Sequence, residues 1–230
     1  MGIRNEPAAE TSPPQAGYCS KLGCMTQTRS QWTYQVRLGW GADALTELAT
    51  ADVIVIVDAI DTGSPCVDGS DDGGAAETRT AGSSNANGAG STGNTAQELA
   101  AQAAALPHSP AVFMGALRNA TATAKAIYNE QLARGGRVAI NLVLAGDDGR
   151  FAVEDYLAAG AIADGLSALG IDHSAPDVAV AIEGFRPLKR AVKHLFSASA
   201  AGLALKAMGR GEEAKAAAAL DAEAECSRIA

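Results

Sequence analysis

The sequence predicts an α/β protein in three layers, a mostly parallel central sheet with helices on both faces. Three observations predict it. Val53–Val57 is an unbroken β-branched run, the pattern of a strand buried on both sides. Ile140–Leu144 is a second short, mostly apolar run, placed after the Gly135-Gly136 break. Between such runs lie segments whose apolar residues recur at helical spacing, the alternation that builds a parallel sheet.

The elements follow in order. Residues 1–31 are rich in Pro, Ser, Thr, Gly and Gln without apolar periodicity, and are expected to form a flexible extension to a single domain over 32–230. Tyr34–Leu38 alternates as a strand, Gly39–Gly41 breaks it, and Asp43–Ala49 reads as a short helix. The Val53–Val57 strand stops at Asp58, which puts a carboxylate at its carboxyl edge. Residues 61–94 are dominated by Gly, Ser, Asp and Asn, a low-complexity loop too poor in apolar surface to offset its ordering entropy. It is expected to be disordered or to order only on a ligand. Its end, GAGSTGNT over Gly88–Thr95, has the outline of a phosphate loop. Asn94 stands where that motif needs lysine and no strand precedes it, so a nucleotide site is rejected. Thr95–Leu106 is an Ala-rich helix capped by Asn94 or Thr95, and Ala111–Met114 a strand after the Pro107–Pro110 turn. Asn119–Ala133 is a helix, Arg137–Leu144 a strand, and a further helix starts near Ala152 with Leu157, Ile162 and Leu166 on its apolar side. Helical segments then cover Val178–Gly184, Arg186–Phe196, Ala200–Met208 and Glu212–Ala224.

Composition narrows the function. Lys plus Arg number 18 against 26 Asp plus Glu, a net charge of −8, which speaks against a nucleic-acid partner bound through a basic surface. A phosphorylated small molecule stays open, because one bound cation outweighs the global charge locally. Cys19, Cys24, Cys66 and Cys226 form no disulfide or zinc framework and read as unpaired thiols of a reducing cytoplasm. The N-terminus has no apolar leader and no run reaches the roughly 20 residues of a membrane span, so a cytoplasmic protein without a membrane partner is expected.

The segment LAGDDGRFAVEDYLAAGA, Leu144–Ala161, joins a buried strand to a helix through a Gly-rich turn. It sets Arg150, Glu154 and Asp155 at a helix start, where unpaired N–H groups favour an anion. Spacing alone leaves two readings open. The three residues serve a ligand, or they dress a turn and a helix start whose dipole favours acids anyway.

The segment resembles the AG-x-x-GRF-x-x-ED-x-x-x-AG signature of the 2-phosphosulfolactate phosphatase family. Three others resemble that family in the same order: ADVIVIVDAI, closing on Asp58; VFMGALRNATATAKAI; and SASAAGLALKAMGRGEEAKAAAALDAEA, with Ser199, Gly202, Gly209 and Asp221 in place. WTYQVRLGWGADAL is similar to the start of one branch. The resemblance runs from Trp32 to the C-terminus, with a gap at 61–94. It implies a magnesium-dependent phosphatase of coenzyme M biosynthesis, acting on a small phosphorylated acid, with a sulfonated one (2-phospho-3-sulfolactate) as the family substrate. It also implies a homodimer, which would cover an exposed sheet edge.

Other phosphatase chemistries lack their residues. Asp58 is followed by Ala59-Ile60, so there is no D-x-D pair; Cys66 precedes an acidic loop; and His108, His173 and His194 lack an Arg-His-Gly setting. The resemblance therefore implies the metal route, with Asp58, Glu154 and Asp155 as Mg²⁺ ligands, and Asp58, Arg150 and Glu154 as the catalytic set. Arg150 would clamp an anionic oxygen, and Gly115, Arg118, Asn119, Gly146 and Gly149 would line the anion site. Arg118 reads equally as a solvated helix-start residue. Two departures stand out. Asp61 occupies the region where the family carries an arginine after the strand-end aspartate, and the polar 61–94 stretch replaces a strand–helix unit. They support an alternative, a degenerate homologue that binds an anion or a protein without turnover.

Overall fold

The computed structural model describes residues 29–62 and 95–230. The low-complexity loop lies outside them except for Asp61 and Thr62, as do Cys19, Cys24, Cys66, the phosphate-loop mimic up to Asn94, and the extension up to residue 28. The sheet has the strand order β1-β4-β2-β3-β5. Strands β1 (Val36–Trp40), β2 (Val53–Val57), β3 (Ala111–Gly115) and β4 (Ile140–Leu144) are parallel, and β5 (Ser227–Arg228) runs antiparallel to β3. This is the predicted three-layer α/β architecture.

The pleat divides the core. Ile54, Ile56, Val112 and Val143 face α1 (Asp43–Glu47) and α2 (Ala96–Ala104). Val53, Val55, Val57, Leu142 and Leu144 face the other layer, which includes α3 (Ala120–Arg134), α4 (Val153–Ala168) and α5 (Pro176–Leu188). Strand β2 is apolar on both sides because both sides are covered, whereas Arg37 of β1 and Asn141 of β4 are buried polar residues that donate to backbone carbonyls, including Ala49 O. After β2 the chain reaches α2 on one face; after β4 it enters α4 on the other. Neighbouring strands whose connections leave to opposite faces open a crevice between their carboxyl ends.

Several boundaries differ from expectation; β4, for example, starts at Ile140 rather than Arg137. Strand β1 runs on through Gly39, because Ala44 of α1 packs where a side chain would stand: an added Cβ would come within 2.7 Å of the Ala44 Cβ. Helix α5 continues through Gly184 to Leu188, since Phe185 is buried, and the chain breaks only before α6 (Val192–Ala198). The last predicted helix, Glu212–Ala224, ends early: α8 covers Gly211–Ala217, after α7 (Ala200–Ala207), and the chain beyond it returns to the sheet as β5. Thr95 is the cap of α2, in a capping box with Glu98.

Both sheet edges are occupied. Gln31, inside the predicted flexible extension, uses its side-chain amide as a strand partner: Nε2 donates to Leu38 O at 2.9 Å and Oε1 accepts from Leu38 N at 3.1 Å. Strand β5 covers the opposite edge. The Leu38 backbone groups at one edge and Phe113 and Met114 at the other are thus paired within the chain.

Gly160, in the closing AG of the signature, lets α4 touch α5. An added Cβ would overlap the Ala181 carbonyl of α5, so Gly160→Ala is expected to cost about 1–3 kcal/mol through overpacking. Thermal unfolding checks this; an unchanged midpoint would mean the helices are not held this closely.

Candidate active site

A cleft of about 700 Å³ opens at the carboxyl ends of β2 and β4. Its floor is acidic, with Asp58 directly after β2 and Glu154 in the first turn of α4. One wall is α7, presenting Ala200, Ala201, Ala204, Ala207 and then Met208; Phe151 and Ile60 add further apolar surface. No described Lys, Arg or His lines it.

Asp155 is the mechanical centre. It is 3 % exposed, and its two oxygens accept backbone N–H groups from two different strand-end loops, Ala59 and Gly146, each at 2.8 Å. One carboxylate at the start of α4 thereby staples the turn after β2 to the turn after β4. Adjacent residues on a helix point about 100° apart, so Glu154 faces the cleft while Asp155 faces the loops. Glu154 is 4 % exposed, and its carboxylate has no hydrogen-bond or ion-pair partner among the described residues.

Crowding these carboxylates has an electrostatic cost. Burial, reinforced by Asp61 and Glu154, pushes Asp58 up to about 6, although the Ile60 N–H opposes the rise. Burial and the neighbouring Asp58 push Asp155 up to about 7 despite its two N–H donors. A carboxyl with a higher pKa folded than unfolded binds protons preferentially in the folded state. Its contribution is complete below the unfolded value of 3.8 and is lost as pH rises through about 6 for Asp58 and about 7 for Asp155. Metal-free protein is therefore expected to lose on the order of several kcal/mol as pH rises from about 4 to about 8. A flat profile of Tm against pH would contradict the crowding.

The glycines of the turn are structural. Asp147 and Arg150 pair backbone to backbone across Asp148-Gly149, both with positive φ (54° and 73°), as a two-residue type I′ turn requires. Gly146 has φ of 66°, and an added Cβ would overlap the Arg150 carbonyl. Gly146 also lines the cleft, whereas Gly149 contacts Gly41 in the turn after β1.

Several predicted anion ligands stand elsewhere. Arg150 is exposed, with Nε 3.4 Å from the Asp147 carbonyl, and does not line the cleft. Arg118 donates to Glu223 and to the Ala216 carbonyl, each at 2.7 Å, which ties α3's entry to α8 and the C-terminal segment. Asn119 is buried and spends its amide on its own turn, accepting from Ala116 N at 2.8 Å and donating to Met114 O at 3.2 Å. Gly115 is packed between Ile162 and Val55. Among the described residues no three His, Cys, Asp or Glu side chains converge as a metal set, so Asp58, Glu154 and Asp155 do not form a three-ligand cage. The three histidines are exposed. Sequence reasoning missed the α7 wall and Arg210, which donates to Thr62 O at 3.1 Å at the rim and is held by both Glu213 oxygens at 2.8 Å.

The family model described as 2-phosphosulpholactate phosphatase matches residues 81–224, more than half of the chain. The chain belongs to the 2-phosphosulpholactate phosphatase family. No curated protein matches the chain. The matched stretch carries Gly146, Glu154, Asp155 and the α7 wall; Asp58 lies before it and joins the site because β2 is inserted beside β4. Membership indicates 2-phosphosulpholactate phosphatase-like activity, of coenzyme M biosynthesis type, on a small phosphorylated substrate. No described helix is long and apolar enough to cross a membrane.

Proposed function

We propose that this member of the 2-phosphosulpholactate phosphatase family is a magnesium-dependent phosphomonoester hydrolase, with 2-phospho-3-sulfolactate, yielding 3-sulfolactate and phosphate, as the first substrate to test. The observation that carries the reading is the meeting of Asp58 and Glu154 on the floor of the cleft between β2 and β4. Their donor chemistry suits Mg²⁺, a hard cation that takes one or two carboxylates and completes its shell with water and substrate phosphate. Asp58 and Glu154 would hold it. When bound, Mg²⁺ supplies charge neutralisation at the phosphoryl oxygens and a more acidic water.

The chain's own residues do the rest. Asp155 holds the Ala59 and Gly146 loops in register, so that Asp58 and the floor of the cleft keep their places. The α7 wall, Ile60 and Phe151 shield the floor from bulk water, which strengthens every charge interaction there. Mg²⁺ also answers the repulsion that an acidic cleft presents to a phosphate.

Phosphate release with Mg²⁺, and its loss on adding EDTA, tests this directly. One second reading has support: Asp61 stands where the family carries an arginine, and no described cation lines the cleft. Folded protein that binds inorganic phosphate with Mg²⁺ yet releases none from any ester would favour that reading, a binding protein without turnover.

A further inference from the structure

We infer that the phosphoryl group of the substrate is seated on the open N-terminus of α4, where the backbone N–H groups of Val153 and Glu154 receive its oxygens. The inference rests on the phosphatase reading and names the anion subsite of the same cleft. The first turn of any helix leaves its N–H groups without intrahelical acceptors. In α4 the N-cap is Ala152, which has no side-chain oxygen to offer. Among the described residues, the backbone nitrogens of Val153, Glu154 and Asp155 have no acceptor. Yet this end of the helix is enclosed: Ala152 is buried, Val153 half-buried, and both line the cleft with Glu154 and Asp155. Enclosed N–H groups without a partner cost free energy that a bound oxyanion recovers. They also bring the positive end of a 16-residue helix to the cleft floor.

A second feature points to the same place. Glu154 is 4 % exposed and lines the cleft, and its carboxylate has no hydrogen-bond or ion-pair partner among the described residues. A carboxylate buried in that state calls for a cation, and a hard cation held there calls in turn for an oxyanion. A phosphoryl group answers both demands, its oxygens shared between that cation and the Val153 and Glu154 N–H groups. Donors fixed in the backbone do this without Arg150, which is exposed on its turn.

The test removes one N–H. Proline is accommodated at the first helical position, where there is no intrahelical bond to lose. Ala152, with φ of −122° and ψ of 122°, already has the extended backbone of a residue before proline. Val153→Pro thus deletes the N–H within an intact helix, and Val153→Ala trims the same side chain with the N–H kept. Binding of inorganic phosphate with Mg²⁺ is measured by calorimetry on the full chain, beside KM for 2-phospho-3-sulfolactate. Val153→Pro is expected to weaken both about tenfold or more, and Val153→Ala about twofold or less. In wild type isotope-labelled at valine nitrogen, the Val153 amide resonance is expected to move downfield on adding phosphate with Mg²⁺, a readout that needs no variant to fold. Phosphate binding by folded Val153→Pro equal to that of Val153→Ala, or a Val153 amide unmoved by bound phosphate, would overturn the inference and leave the phosphatase reading standing. Wild type that binds phosphate at the Val153 amide yet releases none from any ester would uphold the seat and overturn the phosphatase reading.

Discussion

Glu154→Gln, and separately Asp58→Asn, are expected to lower kcat for Mg²⁺-dependent phosphate release by about a hundred- to a thousandfold, the usual cost of removing one electrostatic contributor. The same variants are expected to keep or raise Tm. Each replaces a carboxyl group on a crowded acidic floor by a neutral amide of the same shape, and Asp58 already resists ionisation in the folded chain. Loss of activity with gain of stability is the signature of a group retained for chemistry at a structural cost. Activity within a few-fold of wild type in both variants would remove these carboxylates from the mechanism.

Asp155→Ala is expected to behave oppositely, losing stability and activity together. It strips the acceptor from two backbone N–H groups, Ala59 and Gly146, and leaves them without it. Each bond to a carboxylate contributes about 1.5–3 kcal/mol, and relief of the carboxylate's own burial offsets part of the loss. A net cost of about 2–4 kcal/mol follows, a fall in Tm of about 5–12 °C for a domain of this size. Asp155→Asn should fall between, because its amide offers one acceptor where two are needed. Activity should drop with it, since the loops carrying Asp58 and Gly146 lose their common anchor. A normal Tm in Asp155→Ala would show that the staple holds nothing.

What could be read from the sequence was whatever periodicity or a strand end encodes locally. The β-branched run to Asp58, the Ile140–Leu144 strand and the acidic start of α4 all came through, and with them the meeting of Asp58 and Glu154. Residues whose side-chain direction and partners no periodicity encodes did not. Arg118 looks like a ligand until Glu223, 105 residues away, is found on its guanidinium. Asn119 looks like one until its amide proves to be spent on the β3–α3 turn. Arg150 belongs to a signature, but the signature does not say which way a side chain leaves a type I′ turn. The α7 wall was hidden because a cavity is made by missing side chains, and alanines on a helix read equally as close packing. Strand β5, two residues long, carries no periodicity at all.

The most direct test of the central claim, that the Asp58–Glu154 floor holds the metal for phosphate release, is the Mg²⁺ dependence of that release. It is measured from EDTA-stripped protein, wild type beside Glu154→Gln. Half-maximal activity is predicted to need about tenfold or more additional Mg²⁺ in the variant, the effect of losing one carboxylate from a one- or two-carboxylate site. The same Mg²⁺ curve for both proteins, or release that survives EDTA, would contradict the account.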